Sequence, residues 1–116
     1  MKTSQRNATM KRRKIWMAEE KRFEERVKRL LKERGAWVLK TWSGGYQRAG
    51  VPDLLVCYKG RFMGIELKAE RGRVSSLQQV ELRDIRQSGG IGIILRPSHY
   101  LDFEHLLDSI DRGELG

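Results

Sequence analysis

Two stretches decide how this chain reads: Gly50-Val51-Pro52-Asp53-Leu54-Leu55-Val56-Cys57-Tyr58 and Phe62-Met63-Gly64-Ile65-Glu66-Leu67-Lys68. The first is an apolar run bounded by Pro52 and Gly60, the mark of a buried strand over about 53–58. Tyr58-Lys59-Gly60-Arg61 reads as a hairpin turn with Gly60 as its permissive residue, and the second stretch returns as the partner strand. Strand side chains alternate between faces, so Glu66 and Lys68 share one face while Ile65 and Leu67 take the other. Antiparallel pairing makes Asp53 a neighbour of Glu66, so two carboxylates and an ammonium converge on one spot. Cys57 lies inside the apolar run and reads as a small core residue. No histidine stands near it in sequence to activate it as a nucleophile.

Upstream, residues 36–42 alternate and carry β-favouring types, which predicts a strand, with Lys40 turned to the site or to solvent. The Gly-rich segment that follows holds Tyr46, Gln47 and Arg48, residue types that can hug a phosphate backbone and stack on a base. An ordinary loop has the same composition. From about Ile15 to Arg34, Trp16, Phe23, Val27, Leu30 and Leu31 recur at helical spacing, and Gly35 ends the helix. At roughly 100° per residue, Glu20 projects inside this stripe, between Val27 and Leu31, and Glu24 falls on its flank. A carboxylate in a core-facing stripe is costly unless a metal or a hydrogen-bond network receives it; Glu19 and Glu25 fit a solvated face. Residues 1–14, with Lys11, Arg12, Arg13 and Lys14 in a row, read either as a frayed tail or as a basic arm that lies along phosphates.

Downstream, residues 69–75 form a charged loop, and Ser75 or Ser76 caps a helix that runs to about Gln87 with Leu77, Val80, Leu82 and Ile85 as its apolar set. Gln78, in its first turn, can donate to a phosphate or hold a water; the spacing suits a solvent-exposed glutamine equally well. Residues 91–95 form a strand, parallel to the earlier one because a crossover helix joins them. Residues 98–111 make a last helix with Leu101, Phe103, Leu106, Leu107 and Ile110, and it is the one acidic segment. His99 and His105 lack a second ligand at a metal-binding spacing and read as surface residues.

The whole chain has 116 residues, suited to one compact domain after a basic arm over 1–14, and its net charge of +9 points to a polyanionic partner, nucleic acid or an acidic membrane surface. No apolar run is long enough to span a membrane, the N-terminus lacks the apolar region of a signal peptide, and the single cysteine excludes an intrachain disulfide, which together predict a cytoplasmic setting. In such a basic chain, Asp53 and Glu66 suit a hard divalent cation, with the Leu67 backbone carbonyl as a third ligand. Glu20 can complete the shell, and Lys68 can orient a nucleophile or stabilise charge on a phosphate. Zinc is disfavoured because Cys and His ligands are missing. The chemistry these residues fit is metal-dependent phosphodiester cleavage.

The pattern GVPDLLV … GIELKAERGRVSSLQ resembles the PD-(D/E)XK nuclease superfamily, and within it the virus-type replication-repair nuclease (VRR-Nuc) domain in its stand-alone phage or bacterial form. The resemblance covers about residues 17–97. It implies an α/β, restriction-endonuclease-like α-β-β-β-α-β core with a mixed central sheet flanked by helices, and DNA cleavage with Mg²⁺ or Mn²⁺. It places Asp53, Glu66 and Lys68 as the metal-binding and catalytic triad and Gln78 as the glutamine that opens the following helix. For the helix glutamate, the VRR-type pattern accommodates both Glu20 and Glu24, the similar archaeal-type Holliday junction resolvases match Glu24 better, and the helical projection favours Glu20. Small members of this group resemble resolvases that act as two-fold dimers. The resemblance therefore implies a homodimeric endonuclease that cuts four-way (Holliday) junctions, and the residue types read above would put Lys40, Tyr46, Gln47, Arg48 and the Lys11–Lys14 run on the DNA. The alternatives are a monomeric flap or general DNA nuclease, and a non-catalytic basic module that binds nucleic acid.

Overall fold

A two-residue hairpin anchors the sheet. Lys59 and Gly60 both have positive φ, +48° and +81°, the backbone that a tight hairpin needs to match the right-handed twist of its strands. In the computed structural model, which describes residues 2–42 and 48–114, this turn joins β2 (Leu54–Tyr58) to β3 (Arg61–Leu67). Before them come α1 (Lys2–Glu33) and β1 (Trp37–Lys40); after them come α2 (Ser76–Gln87), β4 (Ile91–Leu95), a short 3-10 turn (Pro97–His99) and α3 (Tyr100–Asp111). The strands lie in the order β1-β2-β3-β4, antiparallel except for the parallel pair β3–β4. This is the expected α-β-β-β-α-β core with a mixed sheet, extended by α3. Tyr46 and Gln47, with Ser43, Gly44 and Gly45, lie outside the described residues.

Register divides the sheet into two faces. Leu54 pairs with Ile65, Val56 with Met63 and Val38 with Val56, while Ile65 meets Ile93 across the parallel pair. These side chains share one face and pack against Phe23, Val27 and Leu31 of α1 and Phe103, Leu107 and Ile110 of α3, forming the core. The opposite face carries the row Leu55, Gly64, Gly92. The two glycines let α2 close on the sheet. A Cβ at Gly92 would lie 2.5 Å from the Leu82 carbonyl oxygen, and one at Gly64 would lie 2.5 Å from Ile85 Cδ1.

α2 covers β3 and β4 but not the outer half of this face. The cross-strand row Trp37, Cys57, Phe62 is therefore exposed. Cys57 is thus a surface thiol and not the core residue its apolar run suggests, because only one face of β2 is covered. In the same way Leu82 is the buried member of the α2 set, with Leu77 and Val80 in solvent, and Leu101 of α3 is exposed.

The larger correction concerns the N-terminus. α1 begins at Lys2, so the basic run Lys11–Lys14 is helical and continuous with the helix that packs on the sheet. At about 1.5 Å per residue the helix is roughly 48 Å long, and it sets the long dimension of a molecule measuring 59 × 28 × 22 Å. Side chains from Gln5 to Arg22 are all exposed, and burial begins at Phe23. Trp16, expected in the apolar stripe, is 50% exposed. Glu20 is exposed as well. The stripe continues in projection, but the helix has run past the sheet that would cover it.

Candidate active site

The end of the sheet where β2 begins and β3 ends gathers the residues that the sequence singles out. β1 fixes the first of them. Thr41 Oγ1 donates to the carbonyl oxygens of Pro52 (2.7 Å) and Asp53 (3.2 Å), and the Thr41 N–H donates to the Asp53 carbonyl at 2.9 Å. The Asp53 carboxylate is held in turn, since its Oδ2 accepts the Leu67 N–H at 2.9 Å. Glu66 comes from the next strand with only 2% of its surface exposed. Gln78 Nε2 donates to Glu66 Oε1 at 3.1 Å. Gln78 is itself fixed as the capping partner of Ser75: its N–H donates to Ser75 Oγ (3.1 Å) and its Oε1 accepts the Ser75 N–H (2.9 Å).

Glu66 Oε2 is buried and has no hydrogen-bond partner among the described residues. A buried carboxylate oxygen left unpaired costs free energy, and here it has an electrostatic consequence. Burial, and next the neighbouring Asp53 carboxylate, raise the Glu66 pKa to about 8, against the pull of Lys68 and Lys40. Two carboxylates crowded together, one oxygen unsatisfied and both ligands hard, are a donor set that a divalent cation would satisfy. Asp53, Glu66 and the Leu67 carbonyl are the residues that would hold it. Among the described residues no group of three or more His, Cys, Asp or Glu side chains gathers closely enough to hold a metal ion.

The structure separates the two candidate helix glutamates. Glu24 is half-buried and turned toward the site, but its carboxylate accepts a hydrogen bond from Lys40 Nζ and lies 4.0 Å from Lys28 Nζ. Glu20 is in solvent at the rim. Both line a cleft of about 990 Å³ that also contains Asp53, Glu66, Lys68, Lys40 and Gln78. Lys40 thus faces the site and not bulk solvent. Arg48 is exposed and forms a two-point ion pair with Glu81 of α2, Nε to Oε1 at 2.8 Å and Nη2 to Oε2 at 2.9 Å. The Lys11–Lys14 side chains are exposed on α1 away from the sheet.

One part of the site carries no signal in the sequence. Arg96, just past β4, donates from Nη1 to the carbonyls of Ala69 (2.6 Å), Glu70 (3.1 Å) and Gly72 (2.9 Å). The Glu70 side chain ties the same part of the loop to the 3-10 turn, its Oε1 accepting the Ser98 N–H at 2.5 Å and its Oε2 accepting from Ser98 Oγ at 2.8 Å. This loop follows Lys68 directly and forms one wall of the cleft. Replacing Arg96 by Ala leaves three carbonyls without their charged donor. It should lower stability by about 2 kcal/mol, the scale of hydrogen bonds to a charged group, and slow any reaction at Lys68 by roughly tenfold through misplacement. Thermal unfolding and single-turnover kinetics check the two effects, and an Arg96→Ala protein that matches wild type in both would show the clamp to be idle.

Comparison with known proteins adds independent findings. The profile of the VRR-NUC domain matches residues 2–97. Among solved structures, the 1.6 Å structure of Hjc, a Holliday junction resolvase from Archaeoglobus fulgidus, is similar in fold with a TM-score of 0.51. The identity is 19%, and the match covers 66% of this chain and 66% of that one. No curated protein matches the chain.

Proposed function

Because this chain belongs to the VRR-NUC domain family, a nuclease family, we propose that it is a divalent-metal-dependent DNA endonuclease that acts as a homodimer on branched DNA, four-way junctions above all. The observation that carries the reading is the unsatisfied Glu66 Oε2 beside Asp53, with Lys68 on the same face of the strand end. When bound there, Mg²⁺ or Mn²⁺ supplies a water of lowered pKa and neutralises charge on the phosphate. The chain's own residues do the rest. Lys68 stabilises the negative charge that builds on the phosphate oxygens. Gln78 holds the Glu66 carboxylate in one orientation through its amide, and Thr41 does the same for Asp53 through the backbone. Lys40, paired with Glu24, lies at the same cleft and contributes positive potential where the DNA backbone passes. The net charge of +9 supplies sequence-independent attraction to phosphate, which falls steeply with salt.

The likeness in fold to a Holliday junction resolvase and the symmetry of a four-way junction support the dimer. Two equivalent cuts need two equivalent sites, and a two-fold pair of chains provides them. The test is a cleavage assay on four-way junction, flap, single-stranded and linear duplex DNA with Mg²⁺, Mn²⁺ or EDTA, run with a mass measurement in solution. The expected outcome is paired nicks on opposing strands of the junction, dependent on the metal, from a protein of twice the chain mass. A monomer that cuts flaps and linear duplex equally well replaces this reading with a general DNA nuclease. Binding without cleavage in any divalent metal leaves only a basic DNA-binding module.

A further inference from the structure

We propose that Trp42 selects DNA whose base stack is interrupted, by receiving an unstacked base on its indole beside the phosphate to be cut. The inference rests on the nuclease reading above and adds a specificity-determining residue to it. Trp42 is 75% exposed, the highest value among the exposed large apolar side chains of the described residues. It follows Thr41, which three hydrogen bonds tie to the backbone of Pro52 and Asp53, so the chain enters Trp42 from a point held beside the candidate metal ligand. It lines a second cleft of about 450 Å³ together with Lys40, Arg48, Asp53 and Gln78. Lys40, Asp53 and Gln78 also line the larger cleft, so the two clefts meet at the candidate site.

A large exposed indole is a costly way to build a surface and a direct way to build a stacking platform. Its neighbours suit a nucleotide. Lys40 and Arg48 are phosphate-binding types, each positioned by a carboxylate, Glu24 and Glu81. Within a continuous duplex both faces of every base are already covered by neighbouring bases. A base at the branch point of a junction, where the stack is broken, or in a flap or single strand has a face to offer, and stacking on an aromatic side chain is indifferent to which base it is. Such a contact therefore discriminates by DNA structure and not by sequence.

The test uses Trp42→Leu, which removes the aromatic plane, Trp42→Phe, which keeps one, and a Trp16→Phe/Trp37→Phe protein in which Trp42 is the sole tryptophan. Trp42→Leu should slow cleavage of junction and flap DNA by about tenfold or more and leave a long blunt duplex within about twofold, while Trp42→Phe keeps most of the rate. In EDTA the fluorescence of the sole Trp42 should be quenched by a single-stranded oligonucleotide and not by the long duplex. Equal losses on all substrates, unchanged cleavage by Trp42→Leu, or equal quenching by both DNAs would overturn the assignment. Quenching by single strands from a protein that cuts nothing would sink the nuclease reading and leave the stacking role in place; cleavage without selective quenching does the reverse.

Discussion

Asp53→Asn slows DNA cleavage by about a thousandfold while binding to the same DNA in EDTA holds or tightens slightly. The expectation follows from what Asp53 touches. Its carboxylate oxygen accepts the Leu67 N–H, and an asparagine carbonyl oxygen can accept the same bond, so the strand ends stay together. What is lost is the negative charge opposite Glu66. A divalent cation contributes several kcal/mol by neutralising charge on the phosphate, and losing about 4 kcal/mol of it is roughly three powers of ten in rate. Binding is spared because removing a carboxylate from a DNA-facing cleft lessens repulsion of phosphate. Rate and affinity therefore move in opposite directions, a signature that a misfolded variant does not give. Single-turnover cleavage and equilibrium binding on the same junction check it. An Asp53→Asn enzyme within tenfold of wild type would remove Asp53 from the site.

The parts of this arrangement that the sequence reveals are those written in local periodicity. The apolar run over Leu54–Tyr58, the Lys59-Gly60 turn and the returning strand Arg61–Leu67 are enough to set Asp53 beside Glu66, because a two-residue turn fixes the register of the pair. The helical projection of α1 fails at Glu20 for a different reason. Periodicity states which side of a helix is apolar, but how far along the helix that side is covered depends on the extent of the sheet, and here cover starts only at Phe23. Cys57 is misjudged for a related reason. An apolar run implies two covered faces only if a helix lies over each, and α2 lies over β3 and β4 alone. Arg96 is invisible because its partners are backbone carbonyls, which leave no trace in residue type. The family resemblance carries Asp53, Glu66, Lys68 and Gln78 as positions; only the fold shows that the Gln78 amide hydrogen-bonds to the carboxylate whose other oxygen has no partner among the described residues.

The second large effect is on stability, and it has the opposite sign to the effect on function. Glu66→Gln abolishes cleavage and stabilises the metal-free protein at alkaline pH. Glu66 has a folded-state pKa raised to about 8 from the ordinary 4.5, so between those values the folded protein holds a proton that the unfolded chain has released. Stability then falls as pH rises through this window, and it levels off above about pH 8. A glutamine in that position is neutral at every pH, keeps an acceptor for the Gln78 amide, and escapes the penalty. In EDTA the Glu66→Gln protein should melt at the same temperature as wild type near pH 4, where Glu66 is protonated in both states, and higher near pH 9, by a few kcal/mol or on the order of ten degrees for a chain of this size. Mg²⁺ sharpens the contrast. It must displace the Glu66 proton to bind, so it should raise the wild-type melting temperature more at about pH 9 than at about pH 6 and leave Glu66→Gln nearly unmoved. Thermal melts of both proteins across pH, with and without the metal, measure all of this directly. If the wild-type curve is flat from about pH 5 to pH 9, the crowding of Asp53 and Glu66 stores no energy for a cation to release. If it falls and Mg²⁺ restores it, the same repulsion that weakens the empty fold is what draws the metal to this end of the sheet.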